Sequence, residues 1–165
     1  MKKILIIGSN SFAGSDFIDF LLNKKFMVYG VSRRKEINKE NLRYKNNKYL
    51  KNFKFYKINL NIKKDIDKLI KIIKKQKIQY IANFAAQGMV AESWVNPEDW
   101  YLTNVVSNSI LIKELSKLKI KKYLNFSTPE VYGHTQSLRS ESNIFMPTTP
   151  YAISRAAQDL NLTAY

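Results

Sequence analysis

Short apolar runs recur along the chain at residues 4–7, 26–31, 53–60, 78–84 and 123–126, each of strand length and rich in β-branched or aromatic side chains. Between them, residues 14–23, 63–75, 97–118 and 151–165 have helical periodicity, and Ile66, Leu69, Ile70 and Ile73 give the second of these an apolar stripe. Strand alternating with helix predicts an α/β fold, in which a parallel sheet is covered by helices on both faces and right-handed crossovers put the strands in a doubly wound order. Ligands of such sheets bind beyond the carboxyl ends of the strands, near the point where the order reverses, so functional residues are expected just after each strand. Residues 35–51 are polar and basic without a period and predict a surface excursion between the second and third strands.

Composition narrows the chemistry. A chain of 165 residues suffices for one domain, 1–165, with a sizeable core, and its 45% hydrophobic content comes in runs too short to span a bilayer. Met1-Lys2-Lys3 precedes an apolar run, Ile4 to Ile7, that is shorter than a signal-peptide core, so a cytoplasmic protein without a membrane partner is expected. With no cysteine and a single histidine, disulfides, thiolate nucleophiles and Cys- or His-rich metal sites are excluded, and no metal is expected. Chemistry must come from hydroxyls, carboxylates, cations and a borrowed cofactor. The net charge of +15 would suit a polyanion, but it is mostly lysine dispersed among Asn and Ile, as in Lys63-Lys64 and Lys74-Lys75, with no aromatic platform beside it. A solvated basic surface is the expectation, and no nucleic-acid partner. His134 reads as a surface residue, and Trp94 and Trp100 as packing anchors.

Two segments then carry chemistry by position. After the first strand, Gly8-Ser9-Asn10-Ser11-Phe12-Ala13-Gly14 opens into a helix; glycine permits a tight turn and close approach of the backbone to a pyrophosphate, which a helix N-terminus stabilises. The second strand ends in Gly30-Val31-Ser32-Arg33-Arg34, without the carboxylate that would accept hydrogen bonds from the ribose hydroxyls of NAD. Arginine supplies a planar fork suited to a 2′-phosphate, so Arg33 and Arg34 favour NADP, with NAD as the other possibility.

The same turn resembles the Gly-x-x-Gly-Phe-x-Gly turn of extended short-chain dehydrogenases, with Gly8, Phe12 and Gly14 in register and Ser11 where the middle glycine would stand. Ser127-Thr128-Pro129-Glu130-Val131-Tyr132-Gly133 and Pro150-Tyr151-Ala152-Ile153-Ser154-Arg155 are similar to the Ser-Thr-x-Glu-x-Tyr-Gly and Tyr-x-x-x-Lys signatures of sugar-nucleotide 4,6-dehydratases, and Ser32-Arg33-Arg34 resembles the GDP-mannose branch. The resemblance implies a Rossmann-like fold that stops before a C-terminal substrate domain. It further implies that Asn59 and Leu60 lie near the adenine, Ala85 and Ala86 beneath the nicotinamide, and Asn104 on the cofactor side.

Tyr151 and Arg155 are four apart, on one helical face, so a cation stands near the phenol. The resemblance makes Tyr151 the group that takes the proton of a sugar C4 hydroxyl, Thr128 the residue that orients that oxygen, and Glu130 the base at C5. Arg155 stands where the family has lysine. Pro129 replaces the Asp of many dTDP-glucose dehydratases, which leaves Glu130 as both base and acid and favours GDP-mannose or a similar substrate. The implied product is a 4-keto-6-deoxy sugar and the implied assembly a homodimer. A nucleotide-sugar 4-epimerase, which would not need Glu130, and a non-catalytic dinucleotide-binding module remain open alternatives.

Overall fold

A computed structural model of the chain describes residues 2–36 and 39–165. Five parallel strands, β1 (Lys3–Ile7), β2 (Met27–Ser32), β3 (Phe53–Lys57), β4 (Tyr80–Asn83) and β5 (Lys122–Asn125), form one sheet in the order β3-β2-β1-β4-β5. The helices are α1 (Phe12–Asn23), α2 (Lys63–Gln76), α3 (Pro97–Trp100), α4 (Asn108–Ser116) and α5 (Pro150–Thr163). This is the α/β, doubly wound architecture expected from the alternation of periods, and the Rossmann-like fold that the resemblance implies. The order reverses between β1 and β4, which places the turn after Ile7 beside the end of β4. No helix among the described residues is long and apolar enough to cross a membrane.

Two compact units divide the chain. The first, Met1–Ala85 with Glu114–Phe126, holds the whole sheet. Its core joins Ile4, Ile6, Val28 and Ala82 of the strands to Ile18, Leu21 and Leu22 of α1. The stripe Ile66, Leu69, Ile70 and Ile73 of α2 is buried, as its spacing predicts. That helix ends in a left-handed residue, Lys77, followed by Ile78, whose N–H donates to Ile73 O; the buried Ile78 then starts the run into β4.

The excursion 35–51 departs from expectation. Residues 37 and 38 lie outside the described residues, but Leu42 and Tyr44 are fully buried in the same core as α1, and Tyr44 packs on Phe53 with ring centroids 4.5 Å apart. The Tyr44 hydroxyl donates to Glu36 Oε1 at 2.8 Å, and Lys45 Nζ pairs with the same oxygen at 2.7 Å. Burial, reinforced by the Glu36 hydrogen bond and charge, pushes the Tyr44 phenol far above the ordinary tyrosine range. Asn47 Nδ2 donates to Asp19 Oδ1 at 2.7 Å and ties the segment to α1. Two apolar residues spaced by two within a lysine-rich stretch suffice to fold it inward, because the hydroxyl keeps a partner.

Several elements are shorter or more broken than their sequence patterns. β3 stops at Lys57, because Asn59 turns the chain: its N–H donates to Asp65 Oδ2 at 2.7 Å and its Oδ1 accepts from Asn61 N–H at 3.1 Å. Residues 97–118 form not one α-helix but α3, a π-helical turn Tyr101–Ser107 and α4. Trp100 is buried as a packing anchor; Trp94, 63% exposed, is not one. Its place in a short 3-10 turn, Ala91–Trp94, gives it no apolar face to enter. His134 is exposed, as expected.

Leu42→Ala is expected to destabilise the chain by about 2–5 kcal/mol, the range for emptying a fully packed leucine site. Denaturant unfolding checks this; a loss under about 0.5 kcal/mol is what a surface loop would give.

Candidate functional site

The first unit builds its part of the site at the turn after β1. Gly8 has φ +84°, and a Cβ there would lie 2.6 Å from Ala85 N and 2.8 Å from Phe84 C, so only glycine lets the turn rest on the end of β4. Gly14 is equally constrained, since its Cβ would run into the Gly8 carbonyl. Ser11, in the position of the missing glycine, has φ −74° and is unstrained. Its hydroxyl donates to Gly8 O at 2.7 Å and accepts from Gly14 N–H at 3.1 Å, which caps α1 and closes the turn.

Ser15 N–H bonds Ser11 O, so the groups of the first turn that lack an intrahelical partner and a capping oxygen are the N–H of Phe12 and Ala13. Phe12 is exposed. Two backbone donors at an open helix N-terminus fit an anion such as a pyrophosphate.

The end of β2 is stitched to this turn. Gly8 and Ser9 N–H both donate to Val31 O, at 2.9 and 3.1 Å, and the buried Ser9 hydroxyl lies 3.3 Å from that of Ser32. Gly30 allows the packing, because a Cβ there would come 2.9 Å from Ser9 Cβ. Arg33 and Arg34 follow, both exposed. Asn59 and Leu60 are half-buried at the end of the β3 run. Ala85 N–H donates to Asn83 Oδ1 at 3.0 Å, and the buried Asn83 donates through Nδ2 to Asn125 Oδ1 at 3.1 Å, so the exit from β4 is fixed by side chains on adjacent strands.

The second unit, Ala86–Lys113 with Ser127–Tyr165, holds the other motif residues. The half-buried Tyr151 opens α5, and every early N–H of that helix has a partner. Pro150 has none to offer; Tyr151 N–H donates to Ser93 Oγ at 3.1 Å; Ala152 N–H donates to Thr149 Oγ1 at 3.1 Å; Ile153 N–H donates to Thr149 O at 2.8 Å. The start of α5 is thus sealed. Arg155, one turn on, is buried.

Asn104, inside the π-helical turn and 1% exposed, accepts from Gln87 N–H at 2.8 Å and donates to Gln87 O at 3.1 Å and Ser154 Oγ at 2.9 Å. It fastens the chain after Ala86 to α5. Thr128 starts a short 3-10 turn, Pro129–Tyr132, that packs on α5 and carries the half-buried Glu130; Thr128 Oγ1 accepts from Glu130 N–H at 3.4 Å. Ser127 Oγ bonds the Asp159 carboxylate of α5. Gly133, φ +70°, ends the turn where Met146 O passes too close for any Cβ, and Met146 N–H donates to Val131 O at 3.0 Å.

Thr128, Glu130, Tyr151 and Arg155 therefore share the second unit with Ala86 and Asn104. Gly8, Ser11, Phe12, Gly14, Arg33, Arg34, Asn59, Leu60 and Ala85 share the first. Sequence reasoning missed Ser93, Asn10 and Thr149. Thr149 was legible as a cap followed by proline at the first helical position; Ser93 lies 58 residues from its partner and gives no local signal.

Comparison with known proteins gives one consistent pattern. The family described as GDP-mannose 4,6 dehydratase matches residues 5–165. A dTDP-D-glucose 4,6-dehydratase of Dictyostelium discoideum is 31% identical, over 100% of this chain and 40% of the relative. A GDP-mannose 4,6-dehydratase of Vibrio cholerae is 30% identical, over 93% of this chain and 43% of the relative. Among solved structures, a UDP-glucuronic acid 4-epimerase from Bacillus cereus in complex with UDP-glucuronic acid and NAD superposes with a TM-score of 0.80 at 25% identity, over 99% of this chain and 52% of that one. The chain spans about half the length of these proteins or less.

Removing the Ser93 hydroxyl orphans the Tyr151 N–H, so Ser93→Ala should cost about 1–3 kcal/mol. Chemical denaturation read by tyrosine and tryptophan fluorescence checks it, and an unchanged midpoint would mean that α5 does not need this cap.

Proposed function

The chain belongs to the GDP-mannose 4,6 dehydratase family, and from that premise we propose that it carries the dinucleotide-binding and catalytic-motif part of an enzyme dehydrating a nucleotide-activated sugar to its 4-keto-6-deoxy form. GDP-mannose or a similar sugar nucleotide is the substrate. The observation that carries the reading is the mounting of Tyr151 on a sealed start of α5, the same helix against which the turn bearing Glu130 packs.

The cofactor is NADP, with NAD the weaker candidate. Its pyrophosphate suits the Phe12 and Ala13 N–H groups at the start of α1, and its 2′-phosphate suits the exposed Arg33 and Arg34. Held by these groups, the dinucleotide would supply the hydride acceptor for sugar C4 and the hydride donor for C6.

The chain's own groups move protons. Tyr151 takes the C4 hydroxyl proton as C4 becomes a ketone, with Thr128 holding that oxygen by a hydrogen bond and Arg155, one turn on along α5, supplying a cation. The ketone makes the C5 hydrogen acidic, and Glu130 removes it. Pro129 has no proton to give, so Glu130 passes the same proton to the departing C6 hydroxyl, which leaves as water. A proton taken up at C5, matching the one held by Tyr151, completes a sequence whose net change is loss of one water.

A homodimer fits the exposed Ile153 and Leu160 on α5 and the exposed Leu102 and Val106 on the π-helical turn. The same reading puts the protein in the cytoplasm, where nucleotide sugars are made. The 4-epimerase alternative draws on the structural likeness to an epimerase and differs at Glu130, which epimerisation does not use.

Incubation of the intact protein with GDP-mannose and NADP is expected to give a product lighter by one water. Glu130→Gln should slow turnover by about 10²–10⁴-fold with NADPH affinity kept. A product of unchanged mass, altered at C4 and indifferent to Glu130→Gln, would put the protein with the epimerases; cofactor binding without turnover would leave a non-catalytic module.

A further inference from the structure

The two arginines at the end of β2 are exposed and long, and among the described residues no hydrogen bond or ion pair holds their side chains. The neighbouring turn holds the backbone beneath them. Asn10 N–H donates to Ser32 Oγ at 3.0 Å, just before the arginines, and Asn10 Nδ2 donates to Arg34 O at 3.4 Å and Lys35 O at 2.9 Å, at and just after them. These bonds bracket the Arg33-Arg34 dipeptide from a single side chain and its own backbone. The two carbonyl acceptors also fix which way the amide faces, since only the NH₂ can donate to both. Asn10 is itself fixed, because Gly8 and Ser9 bond Val31 O and Ser11 caps α1.

We propose that Asn10 is the positioning residue for cofactor selectivity: it couples the pyrophosphate turn to the backbone of Arg33 and Arg34, so that the guanidinium groups meet a 2′-phosphate. Asn10 itself touches no phosphate. The proposal rests on the reading of Arg33 and Arg34 as the 2′-phosphate site. Its physical basis is that an arginine–phosphate pair gains from a planar two-point geometry and loses it when the backbone beneath is free to wander, whereas a plain ribose hydroxyl makes no such demand.

The test is calorimetric titration of NADPH and of NADH into the wild-type chain, Asn10→Ala, Ser32→Ala and the double variant Arg33→Ala/Arg34→Ala. Asn10→Ala should bind NADPH roughly tenfold more weakly, the scale of one charge-assisted hydrogen bond, and NADH within about twofold of wild type by the same argument. Ser32→Ala, which removes one of the bracketing acceptors, should shift selectivity in the same direction, and it carries the test if Asn10→Ala does not fold. Equal weakening of both cofactors by these variants would mean that Asn10 only holds the turn together, and no weakening would mean that it holds nothing the cofactor needs; either result overturns the proposal. If the arginine variant abolishes NADPH preference while Asn10→Ala and Ser32→Ala do not, the positioning role alone fails. If wild type shows no preference for the arginines to lose, the 2′-phosphate reading fails and the proposal falls with it.

Discussion

The absence of a side chain at residue 8 is the constraint on which the first unit turns. The backbone after β1 lies against the exit of β4 so closely that one methyl group would overlap Ala85 N and Phe84 C. That contact sets where the turn runs, where Ser11 can cap α1, and where Ser9 and Asn10 meet the end of β2. The sheet order makes it possible, because β1 and β4 are neighbours at the reversal point and both end there.

The two helices that start next to motif residues solve the same problem in opposite ways. A helix start carries N–H groups with no intrahelical acceptor. At α1 one of these is spent on Ser11 and those of Phe12 and Ala13 stay available for an incoming anion. At α5 proline removes one donor, and Ser93 and Thr149 take up the rest, so the dipole end of this helix is spent internally and Tyr151 sits on a rigid mount. An open start leaves donors for a ligand; a sealed start holds the side chain it carries in place.

What the sequence revealed follows from the range of the interactions involved. The α2 stripe and the glycine turn are signals confined to a few residues, and they were legible; the Thr149-Pro150 start is as local a signal but was missed. The inward fold of Leu42 and Tyr44 was hidden, because two apolar positions among lysines and asparagines give no period, and what buries them is α1 and Phe53, on other elements. The π-helical turn around Asn104 was hidden for the same reason: the amide's partners are Gln87 and Ser154, on other elements. Trp94 misled, because aromatic size predicts burial only when a helix or strand face carries the ring inward, and its short turn provides none. The candidate site followed the same rule: its motif residues could be named from sequence, whereas the bonds by which Ser93, Ser32 and Asn10 hold them could not.

The contrast between an open α1 and a sealed α5 is tested most directly by amide hydrogen exchange and proton chemical shift, residue by residue, as NADP is titrated into the chain. Exchange at Phe12 and Ala13 should slow and their amide protons move downfield as charge-assisted hydrogen bonds form, while Tyr151 and Ala152 are protected already before cofactor is added. Saturable NADP binding that leaves Phe12 and Ala13 unprotected, or amides at the start of α5 that exchange freely without cofactor, would contradict the account.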